Sequence, residues 1–453
     1  MKPTEIQDFP VAKIFIYKGE YYLYDTYTNH ILKVSKEHYA ELKELQTVGC
    51  SEYLTNGKNG RFKDDIKLLM DKGMLRYNFI DKIEHPLIPY VSLLADKCLT
   101  EIIFQVTQNC NFNCRYCTFA VDNGFEHVHN ENNMTWETAQ KALDYFYMHS
   151  CNSYDVAIYF YGGEPLLNFG LIEKIVDYAE TLFETKAVSF NMTTNASVMN
   201  ESMIHFFIKH KFRIAISFDG NKEIQDKHRK FGITGKGTYD TVFENIKRIK
   251  EINKNYFEEA ISFMPVVFDD ENYSEVQDFF ASVGIKKVNP LNVNLRGIDY
   301  REKMTFDKGK MVTDEKNNLA GINEPTERYG ECYSDKKQIC GSWHHSGPCV
   351  AGVNRLFADC RGVFFPCEKA CEFKELSIGN ISTGINEEKI EEFLNIGKLT
   401  ENECKSCWAM RFCNLCVDQC CDFESEALSH YAKNIFCNAQ KKRILDFLKN
   451  SVD

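Results

Sequence analysis

From Leu99 to Asn294 the chain alternates short apolar runs with longer stretches in which apolar residues recur every three or four positions. The runs Glu101–Thr107, Val156–Tyr161, Val188–Thr193, Arg213–Phe218, Ala260–Phe268 and Lys287–Val293 predict strands. The stretches between them, Thr135–His149, Phe169–Phe183, Asn200–His210, Gly237–Asn253 and Tyr273–Val283, predict helices. In the first of these helices Thr135 is the cap, and Trp136, Ala139, Leu143 and Phe146 form the apolar stripe. Repeated βα units predict an α/β fold with a parallel sheet, here a partial (β/α)6 TIM-type barrel over residues 91–298. Functional side chains are then expected at the C-terminal ends of the strands.

The flanks read differently. In residues 1–90, alternation at Val11–Tyr17 ends at the turn Lys18-Gly19-Glu20, Tyr21–Asp25 pairs back, and Asn29–Val34 is a third strand. Ser35 opens a helix with His38 at the position where a capping box prefers Glu or Gln. A second helix, Phe62–Lys72, stops at Gly73, and residues 74–79 form a closing strand. Pro86–Asp96, with two prolines, reads as a linker. Residues 299–341 are hydrophilic and carry Gly321, Gly330 and Gly341, as a bridging region or lid would. Residues 342–453 form a cysteine-rich end, with a short hairpin, Arg355–Asp359 and Val363–Phe365, turning at Cys360-Arg361-Gly362.

Composition sharpens this picture. The chain has 453 residues, 44% of them hydrophobic, which is ample for several packed cores. A net charge of −11 argues against nucleic acid or an anionic membrane surface as a partner. No apolar segment near the N-terminus resembles a secretion signal, and no apolar run is long enough to span a membrane. Nineteen cysteines without an export signal point to metal or redox chemistry in a reducing cytoplasm rather than to disulfides.

The first candidate site lies just after the first barrel strand. Cys110, Cys114 and Cys117 lie in C-x3-C-x2-C spacing on one short loop. Three thiolates can hold three irons of a [4Fe–4S] cluster and leave the fourth iron open for chemistry. A zinc site competes, but zinc cysteines usually come as C-x2-C pairs closed by a second pair. The spacing, with the aromatic Tyr116 just before Cys117, resembles the radical S-adenosylmethionine (SAM) superfamily. The resemblance implies that the open iron binds SAM and that a 5′-deoxyadenosyl radical results. It also implies that Gly162, Gly163, Glu164 and Pro165, at the end of the second strand, meet the SAM amino group. Glycines there would let backbone approach a ligand closely. Thr194 and Asn195 end the third strand, and Ser217 and Asp219 end the fourth; their groups suit the ribose and carboxylate of SAM. Arg229 could pair with that carboxylate. The residue after Asn195 is Ala196, where the family often has glycine.

The cysteine-rich end resembles the SPASM extension of these enzymes, which carries up to two auxiliary [4Fe–4S] clusters. Cys349, Cys367 in Gly362-x4-Cys367, and Cys404, Cys407 and Cys413 match its pattern. Beyond Cys413 the sequence departs: Cys416 comes one residue early, and Cys420 and Cys421 are extra. The resemblance assigns Cys404, Cys407, Cys413 and Cys437 to one auxiliary cluster. It assigns Cys349 and Cys367 to the other, with Cys416 or Cys420, and Cys340 is a candidate fourth ligand.

Taken with a winged-helix-like N-terminal domain that would bind a leader by adding a peptide strand to a sheet edge, the chain resembles maturases of ribosomally made peptides. That implies a Cys-rich precursor peptide, Cys-to-carbon thioether crosslinks and an electron donor such as flavodoxin or ferredoxin. The runs Cys407–Cys413 and Phe365–Glu368 carry the likeness to enzymes acting on Cys-rich peptides. Rival readings are an anaerobic sulfatase-maturing enzyme, with Glu368 as a candidate general base, a peptide epimerase or carbon–carbon crosslinking enzyme, and a non-catalytic iron–sulfur electron carrier.

Overall fold

The computed structural model describes residues 8–56, 60–77, 79–117, 129–267, 270–289, 291–292, 339–345, 350, 352–370, 372–422 and 425–452. The expected lid over 299–341 therefore lies almost wholly outside the described residues, as does Cys349.

Strands β1 (Ala12–Tyr17), β2 (Glu20–Asp25) and β3 (His30–Val34) form an antiparallel meander in that order. The turn between β1 and β2 places Lys18 and Gly19 at φ 47° and 81°, the backbone that two-residue hairpins favour. Helices α1 (Lys36–Val48), α2 (Cys50–Asn56) and α3 (Gly60–Asp71) come next. Ser35 Oγ accepts the His38 amide at 3.1 Å and lies 2.9 Å from His38 Nδ1, so the ring adds a side-chain contact to the cap rather than the return bond to the Ser35 amide that Glu or Gln makes. The short polar α2 was not expected. Asp25, fully buried, accepts hydrogen bonds from Leu75 N, Thr28 N and Thr28 Oγ1 at 2.8, 2.8 and 2.6 Å.

The closing strand expected at 74–79 begins later. It is β4 (Phe79–Ile83), and its partner is not the N-terminal meander but β12 (Cys340–Trp343), in parallel. The proline-containing linker is also ordered: Pro89 sits in the first turn of a 3-10 helix, Ile88–Tyr90, that leads directly into α4 (Val91–Lys97). Proline lacks only an amide that an opening turn leaves unused, so it starts a helix here rather than forbidding one.

The parallel α/β sheet expected from the sequence is present. Strands β5 (Glu101–Thr107), β6 (Asp155–Gly162), β7 (Ala187–Thr194), β8 (Arg213–Ile216) and β9 (Ile261–Phe263) pair side by side, all parallel. Helices α5 (Trp136–Met148), α6 (Phe169–Leu182), α7 (Glu201–Lys209), α8 (Lys222–His228), α9 (Tyr239–Ile252), α10 (Lys254–Ala260) and α11 (Asp270–Ser282) connect them. The sixth barrel strand is broken: Val288 bridges Phe263, and β10 (Val266–Val267) pairs with β11 (Leu291–Asn292). On the helix side, Phe104, Phe160, Phe212 and Phe190 stack in succession at 6.5, 5.7 and 5.4 Å between ring centroids. The alternate residues of β6, Ala157, Tyr159 and Tyr161, face the opposite way, toward the barrel interior.

The cysteine-rich end does not build a separate sheet. Strand β13 (Arg355–Ala358) pairs in parallel with the outer edge of β5, setting Arg355 opposite Glu101 and Ala358 opposite Phe104. Strands β14 (Val363–Phe365), β15 (Gly379–Asn380) and β16 (Gly384–Ile385) extend it antiparallel, giving nine strands in one sheet among the described residues. An incomplete barrel leaves an edge of unpaired backbone groups on its first strand, and β13 supplies their partners. The remainder comprises α12 (Glu387–Leu394), α13 (Glu401–Lys405), the small hairpin β17 (Cys421–Asp422) and β18 (Ala427–Leu428), and α14 (His430–Asn450).

The N-terminal meander packs on this end. Phe15 and Tyr24 share a core with Ala409, Ile444 and Leu448. Buried Arg411 donates to the carbonyls of Thr26 and Tyr27 at 3.1 and 3.2 Å, and Thr26 Oγ1 donates to Trp408 O at 3.0 Å.

Removing the Asp25 carboxylate strands three donors near the base of the meander. Asp25→Ala is expected to cost about 1–3 kcal/mol of local stability, read as faster hydrogen exchange of the β1–β3 amides. Unchanged protection would refute the role assigned to Asp25.

Candidate functional site

Strand β5 ends in a register shift between Gln105 and Thr107, and a bulge at a strand end re-aims the chain beyond it. Here the re-aimed chain is the loop of Cys110, Cys114 and Cys117, and backbone holds that loop from two sides. On one side Gly163 N donates to Thr107 O at 2.9 Å and Glu164 N to Asn109 O at 2.8 Å. A Cβ on Gly163 would stand 2.2 Å from Asn109 O, and one on Gly162 2.2 Å from Thr107 O. The nearest neighbours these glycines admit are thus the backbone of the β5 end, for Gly162, and of the cysteine loop, for Gly163. On the other side Asn113 N donates to Lys230 O at 2.8 Å, Arg115 N to His228 O at 2.9 Å and Gly232 N to Asn111 O at 2.9 Å.

Glu164 is buried and braces the next strand end. Its Oε1 accepts from Thr194 Oγ1 at 2.6 Å and Leu166 N at 3.1 Å, and its Oε2 from Asn195 N at 2.7 Å. Burial pushes its carboxyl up to about 7, against the pull of those three donors. Pro165 opens the adjoining 3-10 turn, Pro165–Asn168. Asn195 Nδ2 donates to Asn111 Oδ1 at 2.9 Å, tying β7 back to the cysteine loop. Ala196 adopts φ 57°, the conformation glycine takes freely. Its amide bonds Thr194 Oγ1 at 2.9 Å.

The sequence reading offered Asp219, Arg229 and Tyr116 to the cofactor. In the structure their polar groups meet one another. Asp219, fully buried, accepts from Tyr116 Oη at 2.6 Å, Arg229 Nη2 at 3.0 Å and Val266 N at 2.9 Å. Arg229 Nε lies 3.0 Å from Asp219 Oδ2, and its guanidinium stacks over the Tyr116 ring at 5.2 Å. A buried carboxylate needs such a partner, and Arg229 satisfies it. The trio anchors the cysteine loop, through Tyr116, to the end of β8. Ser217 is half-buried at that end, its amide bonded to Thr194 O at 2.8 Å.

The thiols are set for a metal rather than for free ionisation. Burial first, then the Glu164 charge and the neighbouring Cys114 and Cys117, push the Cys110 thiol well up, while the Phe112 amide opposes. A buried thiol cluster becomes thiolate when a cation binds it. His129 Nε2 lies 3.4 Å from Cys117 Sγ, and its Nδ1 lies 3.1 Å from Gln108 O. Among the described residues no three His, Cys, Asp or Glu side chains gather tightly enough around one point to hold a single metal ion. A cubane cluster, in which each iron takes its own thiolate, does not require that convergence. The donor set and its spacing fit such a cluster.

A second group lies at the C-terminal end. Burial, with Cys407, Cys437 and Cys404 close by, pushes the Cys413 thiol well up. Cys407 is raised by burial and by Cys404 and Cys437, and Cys437 by burial and by Cys404. These four thiols are close enough to act on one another electrostatically, as the ligands of one cluster would be. Cys420, fully buried, stands beside Cys437 and Cys404 too. Cys416 caps the 3-10 turn Val417–Cys420, its amide bonded to Gln419 Oε1 at 3.0 Å. Cys340 begins β12, which belongs to the layer over Cys404 and Cys407. Cys367 and Glu368 come after β14, and both lie near Tyr161, whose phenol burial, Glu368 and the Cys117, Cys367 and Cys110 thiols push up. Glu368 Oε2 is 3.6 Å from Arg355 Nη1, and Arg355 in turn pairs with Glu101.

Sequence reasoning missed several of these side chains. Gln105 and Gln108 both donate to buried Glu372, the second at 2.8 Å, so the cysteine loop's stem is pinned to the C-terminal hairpin region. Polar residues at two positions of a strand and its exit were the available signal. His129, Tyr161, His345 and Lys433 carried none beyond their residue type.

A family model described as the Radical SAM superfamily matches residues 104–283. The chain is 36% identical over 146 residues to an uncharacterized protein of Methanocaldococcus jannaschii, covering 32% of this chain and 46% of that protein. It is 21% identical to the radical SAM cyclopropyl synthase TigE of Paramaledivibacter caminithermalis, covering 79% of this chain and 77% of that one. It is 24% identical to a cysteine-type anaerobic sulfatase-maturating enzyme of Clostridium perfringens, covering 76% and 95%. Among solved structures, native anSMEcpe with bound AdoMet superposes with a TM-score of 0.54 at 21% identity, covering 78% of this chain and all of that one, which shows a shared fold.

If Gly163 exists to admit the Asn109 carbonyl, Gly163→Ala must displace the cysteine loop. The reconstituted variant is expected to lose about four irons per chain, one cluster's worth, while Gly170→Ala, with open space around its Cβ, keeps them. Equal iron in both variants would contradict the packing described.

Proposed function

We propose that this chain, whose residues 104–283 match the Radical SAM superfamily model, is a radical SAM enzyme that modifies a ribosomally made, Cys-rich precursor peptide, joining a Cys sulfur to a carbon of an acceptor residue. When bound, the cluster on Cys110, Cys114 and Cys117 together with SAM would supply a 5′-deoxyadenosyl radical that takes a hydrogen atom from the acceptor. The protein's part is to hold that chemistry still and dry. Gly162 and Gly163 seat the loop, Glu164 links its stem to Thr194 and Asn195, and Asp219 with Arg229 and Tyr116 closes its far side. Ser217 is the hydroxyl left at the β8 end to meet a ribose.

The observation that carries the peptide reading is the seat of the meander. Its β2–β3 turn is bonded through Arg411 and Trp408 to the loop between Cys407 and Cys413. A leader strand added to the β3 edge would therefore be tethered to the same body as the auxiliary thiols. We assign Cys404, Cys407, Cys413 and Cys437 to one auxiliary cluster, and Cys349 and Cys367 to the other. Cys420 stands by the first of these groups, which favours Cys416 as the third ligand of the other. An electron donor such as flavodoxin or ferredoxin is implied by the reductive start of the reaction.

A second reading has its own support. The C. perfringens sulfatase-maturating relative is covered over 95% of its length, and an acidic residue, Glu368, comes directly after Cys367 here. Glu368 and Cys117 both act on the Tyr161 phenol. Peptide mass separates the two. Anaerobic co-expression with each short Cys-rich peptide encoded beside the gene is expected to give loss of two hydrogens per reacting Cys. The loss should resist thiol reductants and be absent with Cys110→Ala. Unchanged peptide masses, with formylglycine formed on a sulfatase peptide, would overturn the thioether reading.

A further inference from the structure

Lys433, in the first turn of α14, is fully buried. Among the described residues no carboxylate lies within ion-pairing distance of it. Burying an ammonium is costly unless an anion or strong acceptors meet it. Its Nζ lies 3.2 Å from Cys404 Sγ and also donates to Thr400 Oγ1. Thr400 Oγ1 is itself 3.5 Å from the same sulfur. With one lone pair of Thr400 Oγ1 taken by the ammonium, the hydroxyl keeps its proton available for a Cys404 thiolate. His345 Nε2 completes the set at 3.5 Å. The chain makes room for that ring: a Cβ on Gly397 would stand 2.3 Å from His345 Cε1. A cationic donor, a hydroxyl and an imidazole nitrogen thus converge on a single sulfur from three segments of the chain, and a thiolate or cluster-bound sulfur there can only accept from them. Cys407 and Cys413 receive instead the neutral amides of Ala409 and Leu415.

We propose that Lys433, supported by Thr400 and His345, is a positioning residue that stabilises the reduced state of the iron–sulfur cluster held by Cys404, making it easier to reduce than it would be without the ammonium. The inference rests on the reading that Cys404, Cys407, Cys413 and Cys437 hold an auxiliary cluster. Adding an electron to a cluster makes its sulfurs more negative, and a fixed positive charge in a dry site favours that state. Hydrogen bonds to the sulfurs act in the same direction. The arrangement also explains the buried lysine, whose counter-charge is the thiolate itself.

The test is a reductive titration of the anaerobically reconstituted full chain with dithionite, monitored by electron paramagnetic resonance. The signal absent from Cys404→Ala identifies the cluster concerned. In Lys433→Met its midpoint is expected to move to more negative potential, with the other signals unmoved and iron content unchanged. Lys433→Arg should return it toward wild type, and Thr400→Val should move it part of the way. An unmoved midpoint in an iron-replete Lys433→Met would overturn the proposal. Should Lys433→Met lose iron, Thr400→Val decides: no shift there overturns it as well. A wild-type chain binding only about four irons would instead sink the auxiliary-cluster reading beneath it, a failure plainly distinct from an unmoved midpoint.

Discussion

The structure depends on holding a short, buried loop of three thiols against main chain from other strands. Thiols in such a place resist ionisation, and the loop has few apolar side chains with which to pack itself. Its position comes from carbonyls and amides: Asn109 against Glu164, Asn113 against Lys230, Arg115 against His228. That clamp works only if Gly162 and Gly163 carry no Cβ. It also works only if Asp219 is neutralised where it meets Tyr116, which Arg229 does. The residues around the loop therefore act first as masonry, and whatever they offer a cofactor comes through backbone and the few side chains left over.

The second dependency is that the barrel is not closed. The exposed edge of β5 is completed by β13, so the C-terminal cysteines hang from the same sheet as the first cysteine loop. Gln105 and Gln108 grip Glu372 across that seam, and Arg361 approaches Glu372 from the other side at 3.8 Å. The N-terminal meander then rests on the Cys407–Cys413 loop. One continuous body connects three stretches that the sequence presents as separate.

Much of this was legible beforehand, for local reasons. Thr135 and Ser35 do cap helices, because a side-chain oxygen within one turn of an amide is a local matter. The parallel order of β5 to β9 was expected from hydrophobic period and the right-handed crossover rule. What escaped was non-local. The partner of β4 is β12, and that of β5 on its outer side is β13; no pattern within either strand names a partner so far along the chain. Arg229 illustrates the same limit at the site. Its residue type called for a carboxylate, and only the fold shows that Asp219 is one. The cysteine spacings were readable as chemistry, whereas Lys433 and His345 became visible only when folding brought them to Cys404.

The central claim is that the Cys110–Cys117 loop carries a cluster that splits SAM. The most direct measurement is 5′-deoxyadenosine formed from SAM by the anaerobically reconstituted chain under dithionite. The account predicts 5′-deoxyadenosine and methionine in equal amounts, abolished when Cys110, Cys114 or Cys117 is replaced by alanine. Iron-replete protein that leaves SAM intact would contradict it.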